Sequence, residues 1–263
     1  MPAFGPVLSR LTRTLLRRPE LAPDGRPFPP ERLIHTVAGT RDPGWFWHGG
    51  ELGARALREI LARRQRGLAD SARILDFGCG CGRVIRHVHA AAPESRLHGT
   101  DYNAALVQWC RRHLPFATFS SNELAPPTRH ADDSFDLIYA FSVFTHLTEP
   151  LQHAWLAELR RILAPCGYLI LTTHGDRYLE KLSGEDRARY LRGAMVVWSG
   201  ESAGQNRCAT FHPPAWVRDV MAPRAGLAVL EHVVEGALGN PHQDAWLLQR
   251  PERCEPARAS TPA

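Results

Sequence analysis

This 263-residue chain predicts an α/β fold built on a doubly wound, mostly parallel sheet. Three observations carry that expectation. From Ile74 to Thr173 short apolar runs alternate with helix-length amphipathic stretches, and repeated strand–helix pairs imply a parallel sheet. The first run, Arg73-Ile74-Leu75-Asp76-Phe77, enters Gly78-Cys79-Gly80-Cys81-Gly82, a turn with three β-carbons missing where a ligand would meet bare backbone. A second run, Arg96 to Asp101, closes about 20 residues later on an acid, a position suited to the hydroxyls of a ribose.

The elements follow in order. Phe4, Val7, Leu8, Leu11 and Leu15 recur at helical spacing with arginines between them, giving an amphipathic N-terminal helix. Residues 19–30 are proline-rich and read as an extended linker. Turn signals at 39–44 and the aromatic cluster Trp45-Phe46-Trp47-His48 precede a helix expected over 50–64. Strands at 74–77, 96–101, 116–120, 136–141 and 168–173 alternate with helices at 83–91, 104–113 and 151–163, and Pro165-Cys166-Gly167 makes the turn into the last of these strands. Beyond Thr173 the pattern loosens: a helix over 177–191, a short strand at 195–198, a helix opened by Pro213-Pro214, and two final strands at 227–234 and 244–248. The expected organisation is an N-terminal helix, linker and lid segment (1–48), one main domain (49–250) and a flexible tail (251–263).

Composition excludes several classes. The net charge of +5 invites a nucleic-acid reading, but the basic residues are arginines spread along the chain, with Lys181 the only lysine, so nucleic acid is disfavoured. No apolar run approaches the ~20 residues of a membrane span, and the N-terminus lacks a secretory pattern, so a cytoplasmic protein is expected. Cys79 and Cys81 sit in the glycine turn with no Cys-x-x-Cys to complete a zinc site; free thiols and no metal are the expectation for the six cysteines.

A dinucleotide fingerprint would put its third glycine at position 83, where Arg83 stands. The observed apolar-Asp76-Phe77-Gly78-Cys79-Gly80-Cys81-Gly82 resembles instead motif I of the class I S-adenosylmethionine (SAM)-dependent methyltransferases. Residues 132–140 resemble that family's fourth-strand motif, and 159–169 its later helix-turn-strand motif, with Cys166 at the usual second residue of a Pro-Gly-Gly turn. The resemblance implies a seven-stranded, Rossmann-like sheet closed by a terminal antiparallel pair, and SAM as cofactor. It implies cofactor roles for the backbone at Gly78 and Gly80, for Asp76 at the ammonium group or the turn, and for Arg83 at the methionine carboxylate or simply at the surface. Asp101 would meet the ribose, Tyr102 the adenine face, Asn122 and the Glu123 amide the adenine edge, and Phe141 completes the set. N-terminal segments often close the methionine end in such proteins, so the aromatic cluster at 45–48 reads either as core or as a lid.

An oxygen nucleophile often needs a base. His146, after the fourth strand, and His174, directly after the fifth, are the two candidates, with Asp176 as an orienting partner for His174. Ala140-Phe141-Ser142-Val143 is not the Asn/Asp-Pro-Pro-aromatic string of enzymes that methylate base nitrogens. The polar and aromatic stretch 204–213, with Gln243-Asp244, reads as substrate-facing or as loop hydrogen bonding. The resulting expectation is methyl transfer to a small-molecule acceptor, with a hydroxyl favoured. The alternatives are transfer to a small amine and a SAM-binding accessory protein without transfer activity; a nicotinamide enzyme comes third. Oligomeric state is left open.

Overall fold

The structure is a computed structural model that describes residues 20–240 and 242–251. The expected helix over residues 4–15 and the tail from 252 onward lie outside the described residues.

The described chain opens with α1 (Glu31–Ala38) and α2 (Pro43–Ala62). Then come β1 (Arg73–Phe77), α3 (Ile85–Ala91), β2 (Arg96–Asp101), α4 (Ala104–His113), β3 (Ala117–Ser121), β4 (Phe135–Ala140), α5 (Glu149–Ile162) and β5 (Leu163–Thr173). An insert follows with α6 (Gly184–Leu191), β6 (Val196–Trp198) and β7 (Ala209–Phe211). A helical stretch over 214–224, wound as π-helix in its middle, leads to β8 (Ala228–Val233) and β9 (Asp244–Gln249).

Seven strands form one sheet in the order β3-β2-β1-β4-β5-β9-β8. β1 lies inside the sheet, parallel to β2 and β4, as its apolar run requires; β9 alone runs antiparallel to both its neighbours. Helices cover both faces. Ile74 joins the core under α1–α4 with Phe46, Leu57 and Val88. Leu75 and Phe77 point the other way, to Trp155 and Leu159 of α5 and to Trp216 and Met221. Strand order reverses at β1, so β1 and β4 open a crevice at their carboxyl ends.

Several expectations shift. The aromatic cluster lies inside α2, which starts at Pro43 rather than at residue 50. Asp42 caps it by accepting from the Gly44 N–H at 2.8 Å, with proline at the first helical position. Residues 24–27 are no free linker: the Asp24 carboxylate takes the Arg86 guanidinium at 2.5 and 2.9 Å, and that arginine side chain is fully buried. The helix expected over 177–191 is broken into a 3-10 segment (Asp176–Lys181) and α6, with Gly184 at φ +54 at the junction. Residues 209–211, read as loop, form β7 and pair with β6. Pro165-Cys166-Gly167 lies within β5, with Cys166 at φ +62. Cys79, Cys81, Cys110 and Cys208 are buried free thiols, but Cys166 is disulfide-bonded, against the expectation for it.

Candidate cofactor and acceptor cleft

A cleft of about 1090 Å³ opens where the crevice is expected. That is slightly above the ~300–1,000 Å³ common for ligand pockets, so it has room for two ligands side by side. Asp76, Gly78, Gly80, Arg83, Asp101 and Tyr102 line it, as do Asn122, Glu123, Phe141 and His146. His174 is absent from its walls.

The glycine turn is cut to fit its neighbours. Gly78 has φ +78, and a β-carbon there would run into the Val143 side chain; Gly80 has φ +55, and a β-carbon would sit 2.7 Å from Val37 of α1. The Gly78 N–H donates to the Thr100 carbonyl at 2.8 Å, and the Gly80 N–H donates to Asp101 Oδ2 at 2.9 Å. Both amides are thus spent inside the loop. What these glycines leave for a ligand is their bare Cα face.

Asp101 is buried at the end of β2. Its Oδ1 accepts from the Asn103 N–H at 2.8 Å, and burial nevertheless raises its pKa above the usual carboxylate value. Each oxygen accepts one backbone amide, which leaves lone pairs for a diol. Asp76 is buried as well. Burial pushes its pKa up to about 7, against the pull of the nearby Tyr139 hydroxyl and of Arg83. Among the described residues the Tyr139 hydroxyl has no partner other than Asp76.

Arg83 is no surface residue. It is 7 % exposed, donating from Nη2 to Asn240 Oδ1 at 2.7 Å and from Nη1 to the Gly239 carbonyl at 3.3 Å, with Trp45 at 5.7 Å from its carbon to the ring centre. Burial lowers its pKa to about 10, which leaves it charged at neutral pH. Gly49 and Gly50 of α2 let it pass, since a β-carbon at Gly50 would overlap the Arg83 carbonyl. Asn122 accepts from Thr100 Oγ1 at 2.7 Å and donates to the Glu123 carbonyl at 2.6 Å, so its amide orientation is fixed. Tyr102 is partly exposed at the rim.

These residues fit SAM. Buried Asp76 suits an ammonium, the charged and only partly committed Arg83 a carboxylate, and Asp101 a ribose diol. The glycine turn, packed by Val143 and Val37 where β-carbons would sit, brings bare backbone to the cleft wall.

The two histidines part company. The Nδ1 of His146 lies 2.7 Å from the Cys208 carbonyl, which only accepts, so Nδ1 carries the proton and Nε2 the lone pair. Burial lowers its pKa, keeping the ring neutral. His174 is 8 % exposed, holds the Thr210 carbonyl at 3.1 Å and stacks on Tyr178 at 4.0 Å. Burial drives its pKa down to about 3. Asp176 accepts instead from the Tyr190 hydroxyl at 2.9 Å.

The structure adds cleft residues that sequence reasoning did not single out. The end of α1 with the Gly39 that follows it forms one wall, and Tyr178, Lys181 and Asn240 stand in others; Trp45, from the cluster expected as core or lid, lines the cleft beside Arg83. Gln243, flagged as substrate-facing, does line the cleft, donating to Ser142 Oγ at 3.0 Å and accepting from Thr172 Oγ1 at 2.7 Å. Its neighbour Asp244 turns away, to His232 at 2.8 Å.

Residues 74–167 match a family model described as a methyltransferase domain. The seven-stranded sheet around that stretch has the class I methyltransferase fold. The chain is similar to a trans-aconitate 2-methyltransferase of Azoarcus sp., 30% identical over 65% of this chain and 63% of that protein. It is also similar to a malonyl-[acyl-carrier protein] O-methyltransferase of Halalkalibacterium halodurans, 28% identical over 48% of this chain and 49% of that one. The chain therefore spans less than two thirds of the length of these curated relatives. A solved SAM-dependent methyltransferase from Mesorhizobium loti shares the fold with a TM-score of 0.56 at 19% identity, over 75% of this chain and 100% of that one. No helix among the described residues is long and apolar enough to cross a membrane.

Proposed function

We propose that this protein methylates an oxygen of a small-molecule acceptor, with SAM as donor and His146 as general base. The observation that carries the reading is the His146–Cys208 hydrogen bond. It fixes the tautomer with a basic Nε2 on a ring that lines the cleft. When bound, SAM supplies a methyl group on an electrophilic sulfonium. The protein's share is to align and dehydrate the acceptor and to accept its proton at Nε2. Asp76 and Arg83 would hold the amino-acid end of the donor, Asp101 the ribose, and Tyr102, Asn122, Glu123 and Phe141 the adenine region. His174 would act through packing, as the support of Tyr178. Relatives named for trans-aconitate and for an O-methyl transfer agree with an oxygen acceptor.

The test is methyl transfer from labelled SAM to a panel of hydroxyl and carboxylic acceptors that includes trans-aconitate, followed by single-turnover kinetics. With a hydroxyl acceptor His146→Ala should slow transfer about 10²- to 10⁴-fold with S-adenosylhomocysteine affinity unchanged, whereas a carboxylate, already ionised, should not need the base. Transfer at the parent rate by that variant would remove the base from the mechanism. Tight SAM binding with no turnover on the panel would favour an accessory role.

A further inference from the structure

The carboxylates lining the cleft all lie on one side, where Arg83 is the one arginine among them. The acids Asp76, Asp101 and Glu123 all stand at the ends of β1, β2 and β3. The segments after β4 and β5 contribute His146, Lys181 and Arg207 and no carboxylate. Lys181 closes the 3-10 segment after β5, its Nζ 4.6 Å from the centre of the Tyr178 ring. Among the described residues no carboxylate lies within ion-pair distance of it, and its neighbour Glu180 faces Arg177 at 3.5 Å. Among the described residues Arg207, itself exposed, reaches only the Gln205 side-chain oxygen, at 3.5 Å. Arg73, Arg86 and Arg161, by contrast, each meet a carboxylate: Asp136, Asp24, and Glu158 with Asp132. Two cations without a counter-charge on one side of a cleft attract an anion and repel an ammonium.

The position of these cations says where that anion sits. The 199–208 segment arches from the adenine side to the base. A β-carbon on Gly204 would lie 2.7 Å from Leu124 and 3.3 Å from Tyr102, and the Gly204 N–H donates to the His146 carbonyl at 2.7 Å. Asn206 donates to the Thr36 carbonyl of α1 at 3.0 Å. Arg207 is thus tied on one side to the wall formed by α1 and on the other, through Cys208, to His146. An anion held there shares the cleft with the His146 ring. A carboxylate fits better than a phosphate, because a dianion beside His146 would raise its pKa and protonate the nitrogen that must stay free.

We infer that the acceptor is a small carboxylic acid that also bears the hydroxyl to be methylated: its carboxylate is held by Lys181 and Arg207, and the hydroxyl gives its proton to His146 as its oxygen takes the methyl group and S-adenosylhomocysteine leaves. This rests on the methyl-transfer reading and deepens it by naming the acceptor's class.

The experiment is calorimetry on the S-adenosylhomocysteine-loaded protein. The probes are hydroxyl-bearing aliphatic and aromatic mono-, di- and tricarboxylic acids, each beside its primary amide, with inorganic phosphate as a separate arm. At least one acid should bind, with its amide weaker by about tenfold or more. Lys181→Gln and Arg207→Gln should each weaken that acid about 5- to 30-fold. Lys181→Arg should retain most of its affinity, and S-adenosylhomocysteine should bind all variants as before. The inference is overturned if no acid binds better than its amide, if the preference survives both glutamine variants, or if phosphate outcompetes every acid. Failure of the parent protein to bind S-adenosylhomocysteine would instead strike the methyl-transfer reading.

Discussion

Replacing Asp101 by Asn tests the cofactor site at one carboxylate. In the free protein the carboxylate accepts from the Gly80 and Asn103 amides at 2.9 and 2.8 Å, yet burial keeps its pKa above the ordinary value. Desolvation therefore outweighs those two bonds. Asn removes the buried charge but can accept only on its oxygen, so one backbone amide loses its partner. The two changes oppose each other, and unfolding stability should move by no more than about 1–2 kcal/mol. Binding should respond far more. A ribose diol presents two donors; Asn accepts one as a neutral bond and meets the other with its own N–H. One charge-assisted bond is lost and the other weakened, about 2–4 kcal/mol together, or roughly 30- to 700-fold in S-adenosylhomocysteine affinity. Calorimetry with adenosine and 2′,3′-dideoxyadenosine isolates the cause: the parent should prefer adenosine, and the variant should bind both alike. A folded variant that keeps that preference would refute the assignment of Asp101 to the ribose.

Other outcomes follow from the same geometry. Asp76 has a folded pKa of about 7 against 3.8 for the free side chain, so folding takes up a proton between those values. Stability of the free protein should therefore fall as pH rises from about 4 to 7, while SAM affinity rises toward pH 7 with proton release below it; thermal unfolding and calorimetry in two buffers read both. Arg86→Met strands the Asp24 carboxylate against the 24–27 segment and should cost about 3 kcal/mol in chemical unfolding, since Arg86 is fully buried and its partner only partly exposed. Gly204→Ala, at φ +83 and crowded by Leu124, should displace the segment that holds His146. Turnover should drop and the acidic limb of its pH profile move up toward the ordinary histidine value, with S-adenosylhomocysteine binding nearly intact.

The cofactor half of the cleft was legible because local sequence builds it. Asp76, the glycines and Asp101 lie at strand ends and turns, where backbone geometry dictates residue type. The sheet was legible for the same reason, since Ile74, Leu75 and Phe77 bury both faces of β1. The start of α2 was missed although Asp42-Pro43 is a cap followed by proline, because the turn signals and aromatic residues around it drew the reading elsewhere. Arg83 could be read two ways until α2 was seen to pack over it through Gly49 and Gly50. Lys181, noticed as the only lysine, could not be tied to the cleft. Its place depends on Gly184 breaking a helical pattern and on β7 pairing with β6, two long-range outcomes that a local period does not encode.

The same division explains how the two ends of the cleft differ in construction. Asp101 binds its own glycine loop through Gly80, so the cofactor end is braced within β1, β2 and the turn between them. Apart from its N–H, which donates to the Val143 carbonyl at 2.9 Å, His146 is braced from outside its own turn. Its carbonyl takes the Gly204 amide, its ring takes the Cys208 carbonyl, and the next residue's carbonyl accepts from Thr210 Oγ1 at 2.7 Å. All three partners belong to the insert after β5, which also carries Lys181 and Arg207. The segment that would recognise the acceptor is therefore the one that sets the tautomer of the base. A change of acceptor cannot be made there without touching the proton transfer, whereas Asp76, Arg83 and Asp101 stand outside that coupling.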